Sequence, residues 1–218
     1  EVIRFRARRA AACLPGVTPA PHRRATLTPL LDAAVTVSRW LERHGWPACV
    51  IGGLAVQRWG EPRFTHDVDM TVLVGFGPEA EFVDACLAAF PPAREGARAF
   101  ALRYRVLLVT TSSGVPIDMA LGAIPFEEET IGRATPHEFE PGCTLATCSA
   151  EDLIVHKMIA GRPRDIADVE GILSRQSGGL DVERITGWLR AFSEVVDDRD
   201  LTGEFDRIRE RVIARRGP

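Results

Sequence analysis

One stretch, residues 50–74, constrains the fold of this chain more than any other. It contains an apolar strand, a double glycine that opens a short helix, a loop broken by Pro62, and a second apolar strand with two aspartates at its start. Side chains on a strand alternate between its two faces. We therefore predict that Asp67, Asp69 and Thr71 point to one face of the second strand and that Val68, Met70, Val72 and Val74 point to the other.

The paired carboxylates of Asp67 and Asp69 indicate a cation site. Two like charges held about 6.5 to 7 Å apart on a rigid strand repel each other unless a cation lies between them, and carboxylate oxygens suit a hard divalent ion such as Mg²⁺. Gly52 and Gly53 lack a Cβ, so the N–H groups at the start of a helix over residues 54–59 can approach an anionic group closely. Taken singly, an Asp-x-Asp pair is more often a solvated strand end, and a Gly-Gly pair is usually only a tight turn.

A third acid, Asp118, stands out on a strand predicted over residues 115–121, which we expect to pair antiparallel with a strand over residues 100–111. Asp118 shares its face of the strand with Pro116 and Ala120, while the other face is apolar. An acid without a partner is costly to bury. Asp118 therefore either has a functional partner or lies on an edge strand whose polar face is solvated.

The single lysine of the chain, Lys157, lies on a helix whose start is marked by Ser149 with capping-box spacing. A second helix, predicted over residues 163–176, carries Asp165 and Asp168 three positions apart, which makes them neighbours on the helix surface. Since 26 of the 27 basic residues are arginine, the place of the lone lysine invites a functional interpretation. The alternative is that all three are ordinary surface charges.

The order strand, Gly-Gly, helix, Arg-x-Thr-x-Asp-x-Asp and apolar strand resembles the nucleotidyltransferases of the DNA polymerase beta-like superfamily. The resemblance extends to the minimal and toxin-type members, including the AbiEii-like toxins, whose signature has Gly-Gly or Gly-Ser before Arg-x-Ser/Thr-x-Asp-x-Asp. The later segment Ser-Ala-Glu-Asp-Leu-Ile, followed by a lysine and Ala-x-Arg-x-Arg-Asp-x-x-Asp, resembles the same toxins. The resemblance implies an α/β (α+β) fold, with a small mixed sheet flanked by helices and a C-terminal helical bundle.

The resemblance also implies roles for individual residues. Asp67, Asp69 and Asp118 would be the ligands of a site for two Mg²⁺ ions, and Asp118 would complete the second metal site or act as a base toward the acceptor hydroxyl. Asp165, or else Asp168, would orient the lysine or the acceptor. The implied catalytic set consists of five residues: Asp67, Asp69, Asp118, Lys157 and Asp165. The residues implied to bind the nucleotide are Gly52, Gly53, Arg63, Thr65 and Lys157.

The resemblance implies that Lys157 binds triphosphate oxygens and that Arg63 either clamps a phosphate or braces the loop. The implied reaction is Mg²⁺-dependent transfer of a nucleoside monophosphate from a nucleoside triphosphate, such as ATP, to an acceptor hydroxyl, with release of pyrophosphate. Toxin-type members further imply the 3′ end of tRNA as acceptor and a separately encoded antitoxin as partner. An antibiotic or a protein is the alternative acceptor. The rival functions are a catalytically silent nucleotide- or partner-binding module of the same fold and a metal-dependent phosphohydrolase.

Length and composition set the remaining expectations. The 218 residues allow a sheet domain, placed at residues 27–148, and a small helical region at residues 149–218. Residues 1–26 carry six arginines against one glutamate, a local charge of +5 in a chain of net charge −3, so we expect a disordered basic extension and no general nucleic-acid-binding surface. No run approaches the roughly 18 apolar residues that span a membrane. Five cysteines without Cys-x-x-Cys spacing favour reduced thiols in the cytoplasm.

Overall fold

A computed structural model of the chain describes residues 28–176, 178–195 and 199–216. The extension predicted over residues 1–26 lies outside these ranges. Within the described residues, six strands form one mixed sheet. The strands are β1 (Ala48–Val50), β2 (Val68–Leu73), β3 (Val106–Thr110), β4 (Pro116–Gly122), β5 (Thr135–Glu140) and β6 (Cys143–Thr147).

Several helices begin where polar caps and prolines predict. Thr28 accepts a hydrogen bond from the N–H of Leu31 at 3.4 Å, and Pro29 occupies the first helical position. Ser149 accepts one from the N–H of Asp152 at 3.1 Å, which starts the helix that carries the lysine. The described helices are α1 (Pro29–Arg43), α2 (Gly52–Trp59), α3 (Glu79–Ala89), α4 (Ala97–Tyr104), α5 (Pro125–Gly132), α6 (Ala150–Ala160), α7 (Pro163–Arg175), α8 (Val182–Ser193) and α9 (Leu201–Arg216).

The order of strands across the sheet is β3-β4-β2-β1-β6-β5. β2 runs antiparallel to β1 and parallel to β4, so the end of β1 and the beginnings of β2 and β4 meet at one edge of the sheet. This mixed sheet flanked by helices confirms the predicted fold class. Because β4 lies between β3 and β2, Asp118 does not lie on an edge strand.

Two hydrophobic clusters cover the two faces of the sheet. Val50 belongs to the cluster that contains α1 and α3, whereas the preceding residue, Cys49, belongs to the cluster that contains α6 to α9. Successive side chains of a strand point to opposite faces, which divides β1 between the two clusters. The second cluster also includes Ala55 and Val56 of α2, so the C-terminal helices pack on the sheet region. The boundary placed between residues 148 and 149 stays a prediction.

The segment predicted as a strand over residues 100–111 is partly a helix. α4 continues to Tyr104, and the strand occupies only residues 106–110. Its alanine, leucine and arginine content favours a helix, a propensity that the strand interpretation missed. Arg105 adopts a left-handed conformation with φ 55°, and its guanidinium donates hydrogen bonds to the carbonyls of Leu121 and Gly75. These long-range contacts set the turn between α4 and β3.

None of the helices in the described ranges is long and apolar enough to cross a membrane.

Candidate active site

Three carboxylates converge at the edge where β2 and β4 begin. Asp69 of β2 lies opposite Asp118 of β4 in the parallel ladder, and Asp67 precedes β2 on the same side. One oxygen from each of the three lies within 4.8 Å of the others, and all three residues are half-buried. The parallel register makes this meeting possible, because it aligns the third position of β4 with the second position of β2.

Electrostatics at this edge favour a cation. Burial raises the pKa of Asp69, and the neighbouring charge of Asp67 raises it further. The N–H of Gly53 and the positive charge of Lys157 act in the opposite direction. Burial also raises the pKa of Asp118 to about 6, and the other two aspartates contribute to that rise. The positive groups around the site therefore do not fully balance the negative charge of the three carboxylates.

The donor set fits a magnesium site. Its three side chains offer carboxylate oxygens, which Mg²⁺ prefers over nitrogen or sulfur. A divalent ion bound there would relieve the repulsion that raises the pKa of Asp69 and Asp118.

The double glycine brings α2 directly against these acids. Gly52 has a φ of +60°, and a Cβ added there would overlap the carboxylate of Asp69. The N–H of Gly53 donates a hydrogen bond to Oδ2 of Asp69 at 3.2 Å, and a Cβ on Gly53 would overlap Thr65. Thr65 in turn donates from Oγ1 to Oδ1 of Asp67 at 2.7 Å. The anionic group that approaches the glycines in this structure is thus Asp69, and Thr65 contacts a carboxylate.

Lys157 is buried in an ion-pair network between α6 and α7. Its ammonium group lies 3.0 Å from Oδ1 of Asp165 and 2.9 Å from Oδ2 of Asp168, and all three side chains are at most 7% exposed. Burial alone would raise the pKa of both acids, but their hydrogen bonds hold the pKa of each below its usual value. The sequence left open which aspartate orients the lysine, and the structure brings both to it.

Arg63 extends this network to the loop before β2. Its guanidinium donates two hydrogen bonds to Asp168, at 2.7 Å and 2.8 Å. This bidentate contact ties the loop to α7, an arrangement that favours bracing of the loop over a phosphate clamp. Asp168 therefore links the loop that leads to Asp67 with the lysine of α6.

Arg162 is a member of the site that the sequence interpretation did not single out. Its Nε donates to Oδ2 of Asp165 at 2.6 Å, although 74% of its side chain is exposed. The hydrogen bond with Asp165 raises the pKa of the guanidinium, and the charges of Asp69 and Asp67 add to this effect. Its position three residues before Asp165 was the available signal, which the abundance of arginine obscured.

All the residues singled out in the sequence thus lie around one edge of the sheet, on α2, the loop before β2, β2, β4, α6 and α7. Lys157 is near enough for its charge to lower the pKa of Asp69 against the larger effect of burial. Together they form an acidic cluster on one side and a cationic group on the other. This arrangement can bind a metal ion and a polyphosphate side by side.

Comparison with known proteins agrees with this geometry. The protein-family model for the nucleotidyl transferase AbiEii toxin of type IV toxin–antitoxin systems matches residues 47–216. No curated protein has a significant sequence match to the chain.

Among solved structures, the chain is similar to the antibiotic-resistance factor ANT(2'')-Ia, with 14% identity and a TM-score of 0.50 over 76% of this chain and 91% of that one. It is also similar to an antigenic nucleotidyltransferase-like protein from Paracoccidioides brasiliensis, with 12% identity and a TM-score of 0.45 over 79% and 90% of the two chains. The similarity to ANT(2'')-Ia supports the assignment of the fold.

Proposed function

Because this chain belongs to the AbiEii nucleotidyltransferase toxin family, we propose that it transfers a nucleoside monophosphate from a nucleoside triphosphate to an acceptor hydroxyl in a Mg²⁺-dependent reaction. The observation that carries the proposal is the meeting of three carboxylates within 4.8 Å beside the double glycine of α2. A structural role alone does not account for three adjacent acids in which the charge of Asp67 raises the pKa of Asp69 and the charges of both raise the pKa of Asp118.

Asp67, Asp69 and Asp118 would hold Mg²⁺ in this proposal. When bound, the metal would neutralise triphosphate charge and favour the ionised form of the attacking hydroxyl. The glycines support the ligands directly, since the N–H of Gly53 holds Asp69 and the absence of a side chain at Gly52 leaves room for it. Thr65 fixes the orientation of Asp67 through its hydroxyl.

Lys157 and Arg162 would bind oxygens of the triphosphate. Both have Asp165 as a partner, so this buried acid holds two positive charges in fixed positions. Lys157 has three donors and uses two of them on Asp165 and Asp168, which leaves one for a phosphate oxygen. Asp165, Asp168 and Arg63 act as positioning residues in this arrangement.

Asp118 is the proposed base. The oxygen of the acceptor hydroxyl forms a bond to the α-phosphorus, the bond from that phosphorus to pyrophosphate breaks, and the hydroxyl proton passes to Asp118. In the chain without metal, burial and the charges of the other two acids raise the pKa of Asp118 to about 6, and a bound cation would lower it, so the carboxylate is ionised at neutral pH and able to accept the proton.

The proposed acceptor is the 3′ end of tRNA, and the proposed partner is a separately encoded antitoxin. The description of the family as a type IV toxin–antitoxin system supports the partner. The acceptor follows from the resemblance to toxin-type members, and a terminal ribose hydroxyl has the chemistry that this reaction requires.

The test is incubation of the purified chain with each α-³²P-labelled nucleoside triphosphate, Mg²⁺ and total tRNA. The Asp67→Ala/Asp69→Ala variant should transfer no label, whereas Asp84→Ala, which removes an exposed carboxylate paired with Arg98, should match the wild type. Label that moves into RNA would also identify the preferred nucleotide. Mg²⁺-dependent triphosphate binding without transfer to RNA or to components of a lysate would instead support a silent binding module.

A further inference from the structure

The loop before β2 presents an aromatic side chain to solvent beside the carboxylates. Phe64 is 78% exposed, although both of its neighbours in the chain are held in place. Arg63 is bound to Asp168, and Thr65 is bound to Asp67. These anchors restrain the backbone on either side of Phe64, so the ring is presented from a braced segment of the loop.

A cavity of about 510 Å³ begins at this ring. The ring of His66 lies edge-on to that of Phe64, with centroids 4.6 Å apart and an interplanar angle of 84°. The rest of the wall is mainly apolar, with a few polar groups. Further lining residues include Leu30, Leu54, Gln57, Phe139 and Glu140.

The lining suits a flat, uncharged group. No arginine or lysine from the described ranges lines this cavity, so its described lining offers no positive charge to a triphosphate. An exposed aromatic face stacks with a nucleobase, and such contacts do not depend on the base sequence. The amide of Gln57 could donate or accept hydrogen bonds at the edge of a base, and the carboxylate of Glu140 could accept them.

The position of the cavity indicates whether it would hold a base of the acceptor or the base of the triphosphate. The cations available for phosphate, Lys157 and Arg162, come from α6 and its junction with α7, whereas the cavity is built from α1, α2 and the strand ends. Thr65 joins the two areas, since it lines the cavity and also contacts Asp67. An acceptor strand held at the cavity would therefore reach the carboxylates past Thr65, next to Asp67.

We propose that Phe64 and His66 form a stacking subsite for an unpaired base at the 3′ end of the acceptor strand. The inference rests on the proposed function, because it assigns the acceptor of that reaction. It adds the residues that would hold the terminal base of that acceptor.

The experiment measures binding and transfer separately. The binding ligand is a hairpin RNA with an unpaired 3′ end that carries 2-aminopurine at its last position, and a blunt hairpin serves as the paired control. The variants are Phe64→Ala, Phe64→Trp and Phe76→Ala. Phe76 is the matched control because it is 72% exposed and follows the other end of β2. Transfer assays determine KM for RNA at saturating nucleotide and KM for the nucleotide at saturating RNA.

We expect the wild type to quench 2-aminopurine and to bind the blunt hairpin more weakly. Phe64→Ala should raise both Kd and KM for the RNA between about 5-fold and 150-fold, the range expected for loss of one stacked base, with KM for the nucleotide unchanged. Phe64→Trp should restore RNA binding, and Phe76→Ala should have no effect.

Three results would overturn the inference. They are an unchanged Kd in Phe64→Ala, an equal loss in Phe76→Ala, and a rise in KM for the nucleotide alone, which would place the base of the triphosphate in the cavity. RNA binding that depends on Phe64 in a protein that transfers no nucleotide would support the subsite and reject the proposed function. Nucleotide transfer that does not depend on Phe64 would support the proposed function and reject the stacking subsite.

Discussion

Asp69 lies directly opposite Asp118 across the parallel strands β2 and β4. The two acids come from strands nearly fifty positions apart in the sequence, yet their register places both carboxylates on one side of the sheet edge, together with Asp67. The resulting repulsion is a property of the fold without metal. It makes the stability of the protein, and not only its activity, sensitive to these side chains.

Asp118→Asn should have opposite effects on activity and on stability. Loss of the proposed base should reduce nucleotidyl transfer by about 10²- to 10⁴-fold. In the absence of Mg²⁺, the same change removes a charge disfavoured by burial and should raise the free energy of unfolding by about 1 kcal/mol, after allowance for solvent screening of this half-buried group. Turnover assays and urea denaturation with a chelator would test this. Asp84→Asn is the control, and a loss of stability in Asp118→Asn would contradict the prediction.

The same charge should produce a defined pH dependence of stability in the metal-free protein. The pKa of Asp118 is about 6 in the folded chain against an ordinary value of 3.8, so the folded state binds more protons between these values. The stability difference between Asp118→Asn and the wild type should be small below pH 3.8, grow through that interval and level off above pH 6. Thermal unfolding across this range would measure it. A difference that is independent of pH would show another cause.

Lys157→Met should destabilise the fold strongly. It removes the cation that Asp165 and Asp168 share, and each buried acid keeps only its arginine, Arg162 or Arg63. Loss of one partner of a buried ion pair costs about 3–5 kcal/mol, and the remaining arginines should hold the loss near the lower end of that range. Chemical denaturation would report the loss. Addition of Asp165→Asn to Lys157→Met should recover part of it, since one of the two carboxylates that lost the ammonium group is then neutral. A loss below about 1 kcal/mol would mean that the network is poorly formed in solution.

A comparison of Gly52→Ala with Gly75→Ala separates the effect of backbone strain from the effect of contact with the carboxylates. Both glycines have positive φ, +60° and +76°, so alanine at either should cost roughly 1–2 kcal/mol of backbone strain. At Gly52 the added Cβ would also displace Asp69, whereas nothing lies within 4 Å of a Cβ at Gly75. Only Gly52→Ala should abolish transfer and Mg²⁺ affinity, as measured by turnover and calorimetry. Equal activity in the two variants would argue against the assigned role of Asp69.

Arg162→Ala should weaken binding of the triphosphate with little change in stability. The side chain is 74% exposed, and loss of a charge-assisted contact with phosphate typically costs about 1.5–3 kcal/mol, which corresponds to a rise of roughly 10-fold or more in KM for the nucleotide. Arg98→Ala, in a helix remote from the carboxylates, removes a 52%-exposed arginine with one carboxylate partner and serves as the control. If KM is unchanged, Arg162 has only a structural role.

Local patterns in the sequence were sufficient to predict many of the strands and helices of this protein. The alternation along β2 placed Asp69 on the face opposite Val68, Met70 and Val72, because strand geometry has a period of two. Caps such as Thr28 and Ser149 located helix starts. The motif order was also enough to identify the nucleotidyltransferase family. By contrast, the strand interpretation of residues 100–111 overlooked the helix propensity of α4, and the end of that helix depends on hydrogen bonds from Arg105 to carbonyls far away in the chain.

What only the tertiary structure decided is how the distant charges pair. No spacing in the sequence shows that Arg63 binds Asp168, that Lys157 is shared between two aspartates, or that Asp118 faces Asp69. Strand order and register determine these contacts, and they arise from packing of both sheet faces and not from local preference. The sequence by itself determined which chemical groups the site contains, because residue type and local periodicity carry that information. The fold determined their distances, partners and burial, on which their chemistry depends.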